Sequence, residues 1–334
     1  MVGILVIGGG RMGRIHAISV KSLSGELLGI VDINEAAKAL AQELHVPYFS
    51  NVDAAFSLLK DKIDAAIIAT ATTTHFEMIR QSIEHGLDIF VEKPIGINRT
   101  EAEEVVKLVH NNGTKLQVGF HKRFDADFVK FKKIMEQGDL GQPLMVRFVA
   151  RDPITPQPPA GIFTGEAGAI FYDFVIHDLD MSNWLFGLPD TVYSDGGVFI
   201  CRQYGEVNDL DTVIVELKYK GGPLVIIETS RCSSYGYDVR AEALMSGGMI
   251  GMRDYLSDNV FTISNSVIRT AARPWFAERF GQAYRSEIEA FMHSLSTGEK
   301  PAPNELDGFK ANILAEVAAR SFINREPITV NEAL

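Results

Sequence analysis

The stretch Gly3-Ile4-Leu5-Val6-Ile7-Gly8-Gly9-Gly10-Arg11-Met12-Gly13 decides how this chain begins to fold. Its unbroken apolar run predicts a strand buried on both faces, the mark of a parallel sheet covered by helices. Glycines follow at once, and Gly8, Gly10 and Gly13 take the three places of a G-x-G-x-x-G turn from strand to helix. Gly8 permits the tight turn, Gly10 lets backbone come close to a pyrophosphate, and Gly13 lets helix and strand pack together. Arg11 and Met12 complete the turn, and the helix they open offers unpaired N–H groups to phosphate. Asp32 ends the next apolar run, 19 residues beyond Gly13, where a carboxylate accepts hydrogen bonds from ribose hydroxyls. It would repel a 2′-phosphate, and Ile33-Asn34 follow in place of an arginine, so NAD is expected over NADP.

Outward from this turn, apolar runs at 27–31, 65–69, 88–91 and 116–118 alternate with segments of helical period at 11–23, 35–44, 73–84 and 99–110. That rhythm predicts βαβ units, with Asn34 and Asn98 as helix N-caps. A further helical stretch, 124–137, precedes the turn cluster Gly138-Asp139-Leu140-Gly141-Gln142-Pro143, where the alternation stops. Strand-like runs then follow without intervening helices: 144–151, 191–201, 212–219, 224–232 and 237–244, with a hairpin turn at 220–223. The expected fold class is α/β plus α+β. A dinucleotide-binding domain over 1–121 precedes a domain over 122–334, built on a large, mostly antiparallel open sheet. Helical patterns at 283–295 and 306–324 flank Pro301 and Pro303 and are expected to pack back on the first domain, and the Pro-rich loop 152–165 to border a substrate.

Composition narrows the function classes. With 334 residues, 46% hydrophobic and 22% charged, the chain is ordinary for a globular protein of about two domains. Forty-three acidic against 32 basic residues leave −11, with no basic patch, so neither nucleic acid nor a membrane surface is an expected partner. No apolar run nears the length of a bilayer span, and Met1 leads straight into the first strand without a basic leader, so a cytoplasmic protein is expected. Cys201 and Cys232 are read as separate core residues in a reducing compartment.

Two groups of residues carry chemistry. Glu92-Lys93-Pro94 follows the fourth apolar run, at the carboxyl edge of the sheet, where open α/β folds bind ligands. Lys93 there can bond a substrate hydroxyl and join a proton relay. The second group is Asp173-Phe174-Val175-Ile176-His177-Asp178-Leu179-Asp180. At helical spacing Asp173, His177 and Asp180 share one face, and an imidazole that titrates near neutrality can take a hydroxyl proton as hydride leaves the same carbon. A capped, solvated helix turn is the plainer reading. A metal centre is not expected, since His177 has no second His or Cys at ligand spacing. Thr70, Thr72 and His75, after the third apolar run, would lie along the cofactor's phosphate–ribose region, or form a plain Thr-rich cap.

Taken in order, Gly8–Gly13, Glu92-Lys93-Pro94 and Asp173-x-x-x-His177 resemble the Gfo/Idh/MocA oxidoreductases, over nearly the whole chain. Within that family Gly119–Asp125, Arg151-Asp152-Pro153, Tyr235-Gly236-Tyr237-Asp238 and Arg279–Tyr284 are most similar to inositol 2-dehydrogenases. Departures are Ala169, where relatives often carry glycine, and Ala150, where a polar residue is common. The resemblance implies His177 as general base, Asp173 as its orienting partner, and Lys93 as hydroxyl ligand and relay member. It places Arg123, Arg151, Asp152, Asp180, Tyr235 and Tyr284 around a polyol, with Glu92 and Lys93 also beside the cofactor. It further implies a tetramer, and NAD-dependent oxidation of myo- or scyllo-inositol to the ketone. The alternatives are another sugar or sugar nucleotide as substrate, or an NAD-binding sensor without catalysis.

Overall fold

A computed structural model of the chain describes residues 2–23, 25–154, 169–252, 262–264, 267–269 and 275–330. The opening apolar run forms strand β1 (Gly3–Ile7), buried at all five positions. It joins β2 (Glu26–Val31), β3 (Tyr48–Phe49), β4 (Ala65–Ile68), β5 (Asp88–Val91) and β6 (Leu116–Val118) in a parallel sheet of order β3-β2-β1-β4-β5-β6. The order reverses between β1 and β4, the switch point where α/β sheets of this kind hold dinucleotides. Helices α1 (Arg11–Ser22), α2 (Lys38–Glu43), α3 (Val52–Leu59), α4 (His75–Glu84) and α5 (Arg99–Asn112) connect the strands. Asn34 and Asn98 cap as expected, accepting the N–H of Ala36 at 3.0 Å and of Glu101 at 2.9 Å. Helix α3, capped by Asn51, and the short β3 before it are additions to the reading. A two-residue strand is too brief to register a period.

The chain divides into two compact units, Met1–Phe124 with Gln282–Asn312, and Asp125–Gly281 with Ile313–Leu334. In the first, Ile4, Val6, Ile30, Ala65, Ile67 and Phe90 form the core together with Ile288 and Phe291. The second begins with α6 (Ala126–Gln137) and contains a sheet of β7 (Pro143–Pro153), β8 (Thr191–Gly197), β9 (Thr212–Lys218), β10 (Leu224–Ser233), β11 (Asp238–Met245) and β12 (Gly248–Met252). With the late strand β15 (Ile328–Thr329) its order is β12-β11-β7-β10-β9-β8-β15. Every pairing is antiparallel except β7 with β10. A separate pair, β13 (Thr262–Ser264) with β14 (Val267–Arg269), stands apart. Helices α7 (Ile176–Phe186), α8 (Gln203–Glu206), α9 (Phe276–Thr297) and α10 (Glu305–Asn324) complete the order.

Two expectations are corrected here. The strand read over 191–201 stops at Gly197, because Oδ2 of Asp211 accepts the N–H groups of Phe199, Ile200 and Cys201 at 2.8–3.0 Å and curls that segment into a turn. The two cysteines are not separate: Cys201 and Cys232 form a disulfide, with Cα atoms 6.5 Å apart. Distance along the sequence hid this, since the turn around Asp211 delivers residue 201 to the end of β10. Among the described residues no helix is long and apolar enough to cross a membrane.

Candidate functional site

In the first unit the glycine turn has the geometry its residues demand. Gly8 takes φ +102°, and a β-carbon there would lie 2.4 Å from the Ala69 carbonyl oxygen. A β-carbon on Gly13 would fall 1.8 Å from the Gly8 carbonyl oxygen, so strand and helix touch at that point. At Gly10 the reverse holds: its missing side chain faces open space, with nothing within 4 Å. Gly10 is also the N-cap of α1, which has neither a capping side chain nor an acid in its first turn. The helix therefore begins with N–H groups and a positive dipole end directed into room left by a glycine, which fits a pyrophosphate. Asp32 borders it, with Oδ2 accepting the Gly9 N–H at 2.6 Å and Oδ1 the Asn34 N–H at 2.7 Å. These donors and this carboxylate suit an adenine dinucleotide without a 2′-phosphate.

The other expected cofactor residues divide. Thr70 and Thr72 stay near the end of β4, the Thr70 hydroxyl accepting from Thr74 at 2.8 Å. His75 is a correction: its ring is buried, with its nitrogens 2.8 Å from the Pro94 carbonyl and 3.2 Å from the Thr70 carbonyl. It ties the loop after β4 to the loop after β5 and presents no nitrogen to a ligand. Burial pushes its pKa down, against the pull of both carbonyls. Glu92 is a second correction, since its carboxylate turns inward and Oε1 lies 2.7 Å from His16 Nε2. Lys93 stands half-buried just past β5, followed by a cis bond to Pro94. Arg123 is nearly buried and pairs with Asp307 at 3.1 Å, and Tyr284 stacks 4.7 Å from the His121 ring.

In the second unit Asp173 lies in a π turn, Phe171–Val175, and the α-helix proper starts at Ile176. The change of period breaks the single face expected for Asp173, His177 and Asp180. Asp173 and His177 are partly exposed, whereas Asp180, contrary to expectation, is fully buried and offers no surface to a substrate. Asp173 accepts a hydrogen bond from Arg231 at 3.1 Å. The buried Arg231 also binds Asp209, lies over the Tyr204 ring at 5.1 Å, and thereby reaches the start of the π turn, since Asp209 accepts the Ile170 N–H at 3.0 Å. Desolvation works against the charge of this guanidinium, but Asp173 and Asp209 raise its pKa further. Arg151, Tyr235 and Asp238 form a second polar group: Arg151 donates to the Tyr235 hydroxyl at 2.7 Å and to Glu228 at 3.1 Å, and Tyr235 donates to Asp238. Asp152, next to Arg151 on β7, is half-buried.

Fold and residues together define a nicotinamide-type dehydrogenase, and comparison with known proteins makes the class specific. Residues 2–120 match the model described as "Oxidoreductase family, NAD-binding Rossmann fold", and residues 128–251 match the "GFO/IDH/MocA C-terminal domain". The chain belongs to the Gfo/Idh/MocA oxidoreductase family. It is 33% identical to the inositol 2-dehydrogenase of Rhizobium meliloti (strain 1021), over 97% of this chain and 98% of that protein. Among solved structures, the myo-inositol dehydrogenase of Corynebacterium glutamicum superposes with a TM-score of 0.90 at 30% identity, covering 98% of each chain. That of Lactobacillus casei, in complex with NAD(H) and myo-inositol, gives 0.84 at 27% identity, covering 98% of this chain and 96% of that one.

Proposed function

We propose that this protein oxidises one secondary hydroxyl of a cyclic polyol, myo- or scyllo-inositol foremost, to the ketone with NAD. The observation that carries the reading is the coincidence of full-length likeness to inositol dehydrogenases with an open, uncapped glycine turn beside Asp32 and a partly exposed Asp173–His177 segment. NAD, when bound, supplies the hydride acceptor. Gly8, Gly10, Arg11, Met12 and Gly13 hold its phosphates through backbone and helix N-terminus, Asp32 its ribose, and Thr70 and Thr72 line its path. His177 takes the hydroxyl proton, so that C–H hydride and O–H proton leave together and the carbon becomes a carbonyl. Lys93 bonds the reacting hydroxyl. Asp173, fixed by Arg231, orients base and substrate.

Arg151, Asp152 and Tyr235 supply charged and phenolic partners to the remaining hydroxyls, and such a pocket rejects analogues that lack one. Residues 1–121 are assigned to the cofactor and 122–334 to the substrate and self-association. The exposed face of the second sheet supports a homo-oligomer, a tetramer in this reading. Leu224 pairs with Met145, Met145 with Leu244, and Leu244 with Met249, an apolar row across four strands that water leaves unsatisfied. The cytoplasm, with its NAD pool, is the location this chemistry calls for, and there the Cys201–Cys232 disulfide is shielded by burial.

The test is initial rates of NADH formation with myo-, scyllo- and D-chiro-inositol, glucose and sugar nucleotides. The reading expects an inositol to lead. Faster turnover of a hexose or sugar nucleotide overturns the substrate, and tight NAD binding without turnover on any of them favours a sensor.

A further inference from the structure

Behind the glycine turn, the first unit buries three titratable side chains against one another. His16 on α1 is fully buried, its ring edge-on to Phe90 with centroids 4.9 Å apart. Its two nitrogens face opposite ways: Nε2 lies 2.7 Å from Glu92 Oε1, and Nδ1 lies 4.0 Å from Glu287 Oε1 on α9. Glu287 has no solvent exposure, and neither of its oxygens has a hydrogen-bond partner; His16 Nδ1 is likewise unmet. Gly119 makes room for the group, since a β-carbon there would press to 3.2 Å on the Glu92 carboxyl.

Three ionised groups in so dry a space would be costly, whereas one is tolerable when hydrogen-bonded. Two protons shared over the cluster allow either two carboxylates around an imidazolium, or a neutral acid, a neutral imidazole and one carboxylate. Burial favours the second, with the charge on Glu92, which already has its donor. Glu287 then supplies the O–H that Nδ1 lacks, once the 4.0 Å between Oε1 and Nδ1 closes to hydrogen-bond distance. Burial first, then the charge of Glu92, raises the pKa of Glu287 well above the carboxylate range.

We propose that Glu287 and His16 are positioning residues for the end of β5: protonated Glu287 donates to His16 Nδ1, fixing the ring as the Nε2–H tautomer, and Nε2–H holds the Glu92 carboxylate next to Lys93. A buried metal ion is the competing use of one His and two Glu, whose ligand atoms lie within 4.8 Å of one another. Carboxyls set against opposite ring nitrogens fit a relay better than an ion, which one imidazole meets through a single nitrogen. The kinetic consequence rests on Lys93 acting in the proposed reaction; the protonation pattern does not.

Infrared spectra of the protein without ligands at neutral pH, taken for wild type and Glu287→Gln, test the proton directly. Histidine 15N NMR, with His16 assigned through His16→Gln, tests the tautomer. The wild type is expected to have a protonated-carboxyl band that Glu287→Gln lacks. The Gln amide also donates, so that variant keeps the tautomer and keeps kcat within about twofold, whereas Glu287→Leu mixes the tautomers and lowers kcat about tenfold or more at unchanged NAD affinity. An ionised Glu287, a stoichiometric divalent cation in the purified protein, or an unaltered His16 spectrum in Glu287→Leu overturns the proposal. Absence of polyol turnover in the wild type with the band and tautomer as expected would instead count against the proposed reaction.

Discussion

Gly13 has no room for a β-carbon, and that single fact yields a sharp prediction. In Gly13→Ala the new methyl meets the Gly8 carbonyl oxygen, so α1 must back away from β1 and its N-terminus moves with it. NAD affinity should fall by at least tenfold, about 1.4 kcal/mol, measured by calorimetric titration; unchanged affinity would refute the role given to this turn. Arg231 is the corresponding residue of the second unit. Arg231→Met removes the buried guanidinium that binds both Asp209 and Asp173, which should cost about 3–5 kcal/mol in urea unfolding. A loss below about 1 kcal/mol would mean the pairs are no better than surface contacts. The glycines and Asp32 are legible in the sequence because a turn onto phosphate needs those residues at that spacing. Arg231 is marked in the sequence too: along β10 it shares the inward parity of Val225, Ile227 and Thr229, where a charge must find partners. Glu287 gives the same signal on the apolar stripe of Phe280, Ala283, Tyr284, Ile288 and Phe291.

Among the elements, strands and helices with strong periodicity stand where the sequence puts them, and the exceptions have local causes. The α7 region is read as one helix because a π turn leaves no mark on spacing, yet that turn decides which of Asp173, His177 and Asp180 is open. The end of β8 is set by a carboxylate more than ten residues away, which no window of periodicity contains. Helix α9 carries a different dependence, on pH. Its Glu287, facing His16 from α1 and Glu92 just past β5, keeps its proton in the folded chain, while the unfolded chain releases it near the ordinary value of about 4.3. The native state then holds the extra proton, so this contribution is complete below that value. It is lost as pH rises toward the raised native pKa, by about 1.4 kcal/mol per pH unit. Glu287→Gln should lack that slope and gain on the wild type as pH rises from 5 to 8 in urea titrations, with unfolding free energies compared at each pH. Parallel profiles would mean that Glu287 is ionised when folded.

At the scale of the whole molecule, the division into a dinucleotide half and an antiparallel half is visible in the sequence as a change of rhythm near Gly138. The return of residues 282–312 to the first unit is less visible, since an amphipathic helix does not name the surface it covers. The proposed self-association would use the second sheet. Met145, Leu244 and Met249 are each between 44% and 56% exposed and adjacent in register. Met145→Glu with Leu244→Glu should convert an oligomer to smaller species in sedimentation equilibrium; an assembly untouched by both would place the interface elsewhere. The most direct test of the proposed reaction is NADH formation from NAD and myo- or scyllo-inositol by wild type and His177→Ala, with NAD binding measured in parallel. The account predicts turnover in the wild type and a loss of at least about 100-fold in a folded variant that still binds NAD. Equal turnover in the two proteins would contradict it.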